Sequence, residues 1–268
     1  MSSRNATGPF VLRDVALGEG LGWDGTTQHN GEVHRAPDGT YVLYYMGAQS
    51  QSASQLPEAR SSSECPLDHS DDETVCMQRV GLATSRSLDG PWSRLGAPVV
   101  PVGTGGDWDS LFTTNPTAHL FRNGSALLVY KGRSHAQPEL MRTGLAFADD
   151  WRGPYVRLSQ DAIDVPTNCE DPSIYWSPRM DVYRMVLHCG CSYQVLWSRD
   201  GRAWRRTARP QPWCDVRTHS GGTLRLARRE RPQWVLGADG HPTHLVNGVL
   251  PTRARDGKTF TMITPIDK

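Results

Sequence analysis

The sequence lacks both a long hydrophobic run and an excess of charge. No apolar stretch among its 268 residues approaches the roughly 20 residues that a membrane-spanning helix needs. Its 29 Lys plus Arg are balanced by 28 Asp plus Glu, for a net charge of +1. A near-neutral chain has no broad basic surface for nucleic acid or acidic lipid. We therefore expect neither a membrane nor a nucleic acid as a partner.

Zinc-type cysteine spacing is also missing. The six cysteines include no C-x2-C pair, and Cys189-Gly190-Cys191 is too tight for a zinc knuckle. The even count permits up to three disulfides, with buried free thiols or a metal site as alternatives. Glycosylation sequons begin at Asn5 and Asn123. Together these features favour a secreted or lumenal glycoprotein. Residues 1–5 do not have the pattern of a signal peptide, so either a leader has been removed or this compartment is wrong.

Helix-compatible stretches are scarce, because 26 glycines and 19 prolines are spread along the chain. What the chain does contain is a repeat with a period of roughly 50 residues, each copy having the pattern of four short strands. The four copies begin near His29, Asn115, Glu170 and Gly222. Repeats of this length and pattern are typical of β-propeller blades.

Two segments lie outside the four copies, Phe10–Val15 and Thr259–Ile263, and we expect them to pair as a fifth blade. The sequence thus predicts an all-β fold, a five-bladed β-propeller of four-stranded antiparallel blades in which N- and C-terminal strands close the ring. We expect residues 1–268 to form this single domain and to be a monomer. Residues 47–79 are a polar loop insertion in the first blade, where Cys65 and Cys76 can form a disulfide.

The inner strands of a propeller all begin at one face, so residues at their starts should converge in a funnel around the axis. The run Glu170-Asp171-Pro172 begins one such strand, and Pro172 should restrict Asp171 to extended geometry. The strand starts predicted to converge are Asn30, Asn115, Glu170, Asp171 and His219. The residues predicted to surround them are Asp24, His29, Trp108, Asp109, Lys131, Arg133, His188 and Arg231. Aromatic faces and hydrogen-bonding side chains of this kind suit a carbohydrate.

The blade pattern and the run from Glu170 to Trp176 resemble the five-bladed glycosidases of glycoside hydrolase family 43 and their relatives in families 32, 62 and 68. The resemblance implies hydrolysis of a furanoside or related glycan. It implies no cofactor, although a cation near His219 on the axis is compatible with it. It places the general acid at Glu170 and puts Asn30 and Asn115 where that family has carboxylates. The family 32 pattern instead selects Asp171, as a transition-state stabiliser.

Glu170 and Asp171 are sequence neighbours, so on an extended strand their side chains point to opposite sides. A hydrolase that uses two carboxyl groups then needs another acid, and Asp24 and Asp109 are the candidates, with turn acids as the alternative. His188 can bind sugar, pair with Glu170 or be structural. Residues 228–230 have the pattern of a solvated turn, and Arg231 enters the next strand. Three functions remain open: a glycosidase, a carbohydrate-binding propeller that has lost catalysis, and a non-hydrolytic enzyme such as a transferase.

Overall fold

The computed structural model describes residues 3–20, 22–49, 77–158, 163–165, 168–207, 211–218, 220–252 and 258–266. Apart from one 3-10 turn, Gly22–Asp24, the regular structure in these ranges is β. The strands form four antiparallel sheets. They belong to two compact units, a first unit of Arg13–Ile163 and a second unit of Met1–Leu12 with Asp164–Lys268.

The first unit contains two four-stranded sheets in which chain neighbours pair in order. The first sheet consists of β1 (Thr27–Arg35), β2 (Tyr41–Ala48), β3 (Arg79–Ser85) and β4 (Ser93–Arg94). The second sheet consists of β5 (Phe112–Leu120), β6 (Ala126–Arg133), β7 (Arg142–Ala148) and β8 (Val156–Arg157). The turn from β1 to β2 forms because Gly39 takes a positive φ of 84° and Asp38 accepts a hydrogen bond from the amide of Thr40.

The core of the first unit is built mainly by its central strands. Tyr44 and Leu82 of the first sheet, and Leu128 and Tyr130 of the second, are at most 1% exposed. Nearly every residue of β2 and β6 is buried, which is the pattern of strands covered on both faces. The apolar, β-branched and aromatic runs of the sequence therefore form the middle strands of each sheet.

The second unit also contains two sheets. The third sheet consists of β9 (Glu170–Ser177), β10 (Val182–Cys189), β11 (Ser192–Ser198) and β12 (Arg205–Arg206), with β13 (Gln211–Pro212) also pairing to β11. The fourth sheet consists of β14 (Asp215–Arg217), β15 (Thr223–Leu236), β16 (Pro242–Pro251) and β17 (Phe260–Pro265). Trp213, Leu226 and Val249 belong to the core of this unit.

The prediction of five blades is wrong for the part of the chain that the structure describes, which contains four sheets. Residues Arg228–Glu230 do not form the predicted turn. They and the segments on either side are one continuous 14-residue strand, β15. The segment expected to help close a fifth blade instead adds to the fourth sheet as β17, which pairs with β16. Phe10–Val15 does not form one of the named strands.

Two disulfides lie in the second unit. Cys169–Cys189 joins the residue before β9 to the end of β10, and Cys191–Cys214 joins the turn between β10 and β11 to the residue before β14. Cys65 and Cys76, with most of the predicted insertion, lie outside the described residues. In the described ranges no helix has the length and apolar character of a membrane span.

Candidate active site

Each of the four sheets has a β-bulge at an equivalent place. In β1, β5, β9 and β15 two residues are inserted where the partner strand has only one. The first inserted residues are Asn30, Asn115, Asp171 and Arg231, with φ of 54°, 48°, 52° and 54°. Gly31 follows the first, and a proline follows each of the others. Asn and Asp tolerate the left-handed conformation better than other non-glycine residues, whereas Arg231 adopts it at a cost. Because the same conformation recurs in all four sheets, the bulge is a feature of the repeat rather than an irregularity.

This bulge corrects two expectations. Asp171 does not have the extended backbone predicted from the proline that follows it, since its φ is 52°. The residue that shares the place of Asn30 and Asn115 is Asp171, rather than Glu170, which lies one position earlier. The third repeat therefore keeps a carboxylate where the first two have amides.

The two bulges of the first unit are joined by their side chains. Asn30 Nδ2 donates to Asn115 Oδ1 at 2.5 Å, and the hydroxyl of Thr114 donates to the same oxygen at 3.1 Å. His29 Nδ1 lies 3.2 Å from Asn30 Oδ1 and donates to it. Lys131 lies opposite Thr114 on β6 and is only 7% exposed. Amides in these positions can orient hydroxyl groups, but they cannot take up or give a proton.

Arg133 lies at the end of β6, two residues beyond Lys131. Its Nη1 donates to the carbonyl of Pro138 at 2.6 Å, and its guanidinium lies 5.9 Å from the centre of the Phe112 ring. The side chain is thus tied to the loop after β6 and retains partial exposure.

Asp24 and Asp109 occupy matching buried clusters instead of solvent-facing loops. Both residues are 0% exposed. Asp24 Oδ2 accepts from the Tyr45 hydroxyl at 2.8 Å and lies 3.0 Å from Arg94 Nε. Asp109 Oδ2 accepts from the Tyr130 hydroxyl at 2.8 Å and from Arg157 Nε at 2.7 Å.

The tryptophans next to these aspartates are buried too. Trp108 is 6% exposed and stacks on Tyr130, with ring centres 5.3 Å apart, and Trp23 stacks on Tyr45 in the same way at 5.9 Å. Protein atoms cover the aromatic face of Trp108 that was expected to meet a sugar. A carboxylate that is fully buried and paired with arginine is unsuited to activating a water molecule, so we do not carry Asp24, Asp109 or Trp108 into the proposed site.

In the second unit, Glu170, Asp171 and His188 come together at the bulge of β9. His188 on β10 lies directly opposite Glu170. Its Nδ1 donates to Asp171 Oδ2 at 3.2 Å, and its Nε2 lies 3.8 Å from Glu170 Oε1. The His188 and Asp171 side chains are 5% and 9% exposed, whereas that of Glu170 is 28% exposed. Of the three groups, Glu170 is therefore the one that a ligand can reach.

The fourth sheet contributes to the same cluster. The backbone amide of Arg231 donates to Asp171 Oδ2 at 3.0 Å, so the bulges of β9 and β15 are in direct contact. Trp234 of β15 also donates from its indole nitrogen to the carbonyl of Ser173 at 3.2 Å. The Arg231 side chain is exposed beside the cluster. Asp171 is consequently held by groups from two sheets.

The environment of His188 favours its protonated form. Burial opposes the charge, but the hydrogen bond and the charge of Asp171, with the charges of Glu170 and Glu230, outweigh it and raise the pKa of His188 above its usual 6.5. An imidazole held between two acids can keep a proton next to Glu170. The prediction that His188 pairs with Glu170 therefore has a geometric basis.

Sequence reasoning missed Glu230 by assigning it to a solvated turn. Glu230 lies within β15, immediately before the bulge, as Glu170 does in β9. The signal was present in the sequence, since Glu230-Arg231-Pro232 repeats the order of Glu170-Asp171-Pro172. His219, the predicted start of the fourth inner strand, lies outside the described residues. Among the residues that are described, no group of three or more His, Cys, Asp or Glu side chains is arranged to hold a metal ion.

Glycoside hydrolases are among the solved structures that share this fold. A family 117 glycoside hydrolase from the marine bacterium Zobellia galactanivorans is 19% identical, with a TM-score of 0.56, and the match covers 87% of this chain and 58% of that one. Fructan 1-exohydrolase IIa from Cichorium intybus is 16% identical, with a TM-score of 0.55, and the match covers 94% of this chain and 44% of that one. A family 43 β-xylosidase/α-arabinofuranosidase from a compost microbial metagenome is 11% identical, with a TM-score of 0.62 and coverage of 89% and 74%.

These likenesses establish the fold alone, which this chain shares with the three glycoside hydrolases. The chain spans little more than half the length of the family 117 enzyme and less than half of the fructan exohydrolase. No protein-family model matches the sequence, and no curated protein matches it.

Proposed function

We propose that this protein is a glycoside hydrolase that acts on a furanoside or related glycan, with Glu170 as its general acid. The observation that carries the proposal is the arrangement of a partly exposed glutamate against a buried histidine–aspartate pair in a glycosidase fold. The substrate class follows the solved structures, which include a fructan exohydrolase and a β-xylosidase/α-arabinofuranosidase.

The chemistry assigned to the site begins with a proton held between His188 and Glu170. Asp171 accepts from His188 Nδ1 and so orients Nε2 toward the Glu170 carboxyl group, 3.8 Å away. A proton on Glu170 can pass to the oxygen of the leaving group as the glycosidic bond breaks. His188 Nε2 can then pass its own proton to Glu170, and His188 takes up a proton from solvent before the next cycle. In this scheme Asp171 and His188 are positioning residues, and Glu170 alone of the three touches the substrate.

A screen against aryl arabinofuranosides, xylosides, galactosides and fructans tests the proposal. We expect turnover of at least one of them. On a substrate whose leaving group needs a proton, such as a fructan, we expect E170Q to lower kcat/KM by about 10²–10⁴-fold, the usual contribution of a general acid. Glu139, an exposed glutamate in the loop after β6, supplies the matched control, because it belongs to the first unit and E139Q removes the same charge. Full activity of E170Q would disprove the assignment.

A carbohydrate-binding propeller without catalysis is the second candidate. It is motivated by the amide pair of Asn30 and Asn115, which occupies the bulges of the first unit and cannot perform acid–base chemistry. Binding of a glycan without turnover of any substrate in the same screen would favour this function. Secretion and glycosylation belong to the proposal as well, and the disulfides of the second unit are consistent with an oxidising compartment.

A further inference from the structure

The repeated bulge gives Glu170 a structural counterpart, Glu230. Each of these glutamates is the last residue before a bulge, and each is followed by a left-handed residue and a proline. At each bulge one residue of the partner strand faces the two bulge residues. That residue is Leu187 opposite β9 and Asn247 opposite β15. The backbone therefore presents Glu230 on β15 as it presents Glu170 on β9.

Both glutamates belong to one cluster. The hydrogen bond from the Arg231 amide to Asp171 Oδ2 joins the residue after Glu230 to the residue after Glu170. Glu230 also acts electrostatically on His188, the imidazole that lies opposite Glu170. The Glu230 side chain is 33% exposed, close to the 28% of Glu170. The cluster thus has two accessible carboxyl groups beside a buried His188–Asp171 pair.

Glu230 Oε1 lies 3.9 Å from Arg228 Nη1, but Glu230 adjoins a bulge, whereas the other described carboxylates of the second unit apart from Glu170 and Asp171 lie away from the bulges. Asp164 and Asp215 are exposed beside Arg206 and Arg225. Asp200 and Asp239 accept hydrogen bonds within the turns after β11 and β15, and Asp181 lies in the turn between β9 and β10. These turns lie at the ends of the strands away from the bulges. Glu230 is therefore the acid in the described part of this unit that can act together with Glu170.

We propose that Glu230 is the second catalytic carboxylate, the general base of the hydrolysis. This inference rests on the proposed function and adds to it the partner acid that an inverting mechanism needs. Glu230 takes a proton from a water molecule as the water oxygen bonds to the anomeric carbon. The bond from that carbon to the leaving oxygen breaks, and the leaving oxygen receives the proton of Glu170. One water is consumed, and one sugar and one alcohol are released.

Substrates with different leaving groups separate the two roles. An acid is dispensable when the leaving group is a good one, whereas a base is needed for both kinds of substrate. We expect E230Q to lower kcat/KM by about 10²–10⁴-fold on alkyl and dinitrophenyl glycosides alike. E170Q should lose a similar factor on the alkyl glycoside and less than about tenfold on the dinitrophenyl glycoside. E139Q is again the control for charge removal.

Rescue by azide makes the test independent of misfolding. Azide needs no base, so it should restore turnover of the dinitrophenyl glycoside by E230A and give a glycosyl azide, a gain that an unfolded protein cannot produce. An active wild-type protein whose E230Q variant retains full activity would overturn the assignment of Glu230 and leave the proposed function standing. The assignment of Glu230 would also be overturned, and the proposed function kept, if azide did not restore turnover to an inactive E230A variant whose circular dichroism spectrum matches that of wild type. A wild-type protein without activity on any substrate would overturn both.

Discussion

At the scale of single residues, the buried His188 and the half-buried His119 favour opposite charge states. His188 is surrounded by Asp171, Glu170 and Glu230, and its pKa is raised despite its burial. His119 on β5 lies in a mostly apolar place near His34 and against the ring of Phe121. Burial, with a smaller contribution from the charge of His34, lowers the pKa of His119 to about 4. One imidazole thus favours its charged form in the folded protein, and the other favours its neutral form.

These states predict opposite effects of pH on stability. A raised folded pKa contributes stability below pH 6.5 that is lost as pH rises through the folded value, so the advantage of wild type over H188Q should shrink above pH 6.5. The lowered folded pKa of His119 destabilises wild type as pH falls from 6.5 to about 4. Over that range the free energy of unfolding of H119Q should rise relative to that of wild type by on the order of 2–3 kcal/mol. Urea denaturation at several pH values measures both differences. Parallel pH curves for wild type and either variant would contradict the corresponding assignment.

At the scale of elements, the packing of each Trp–Asp cluster depends on glycines in the neighbouring strands. A Cβ atom on Gly144 of β7 would lie 2.0 Å from Cζ2 of Trp108, and one on Gly81 of β3 would lie 2.7 Å from Cη2 of Trp23. Because Trp108 is stacked on Tyr130 inside the core, it has no room to move away. Glycine is therefore required in these strands by close approach and not by a turn.

We predict that G144A lowers the free energy of unfolding by about 3 kcal/mol through overpacking. G96A is the matched control, since a Cβ atom there would have no atom within 4 Å, and it should change stability by less than about 1 kcal/mol. Guanidinium denaturation of the two variants provides the comparison. Equal stabilities would show that the Trp108 cluster is not tightly packed.

How far the sequence predicts these elements depends on how local their signals are. The turn at Asp38-Gly39 and the strands on either side follow from residue types alone, and the structure has them. The bulges do not follow in this way, because a proline after Asp171 predicts an extended residue unless the register of the partner strand is known. The basic run of residues 228–231 has the composition of a solvated turn, and only its pairing with β16 shows that it is strand.

At the scale of the whole molecule, the repeat predicted the fold but not the number of sheets. The all-β architecture is confirmed, and solved glycoside hydrolases share the fold. The fifth blade was inferred from two leftover segments, and whether such segments pair is decided by long-range contacts that a period cannot reveal. Burial of the site residues likewise depends on long-range contacts. The sequence therefore does not distinguish the buried Asp24 and Asp109 from the accessible Glu170.

The near-neutral chain should bind an uncharged glycan by hydrogen bonds and aromatic contacts, with little dependence on salt. This allows binding to be measured apart from catalysis. We predict that the double variant E170Q/E230Q binds a substrate glycan of the screen without turning it over. Its affinity for that glycan should lie within about tenfold of the affinity of wild type for the product. The reason is that glutamine keeps hydrogen-bonding atoms and removes only proton transfer. Calorimetry at 50 mM and 500 mM salt measures the affinity, with E139Q as the reference. Loss of all binding in a folded double variant would mean that these carboxylates hold the sugar and do not act on it, whereas binding by wild type without turnover would identify a carbohydrate-binding propeller.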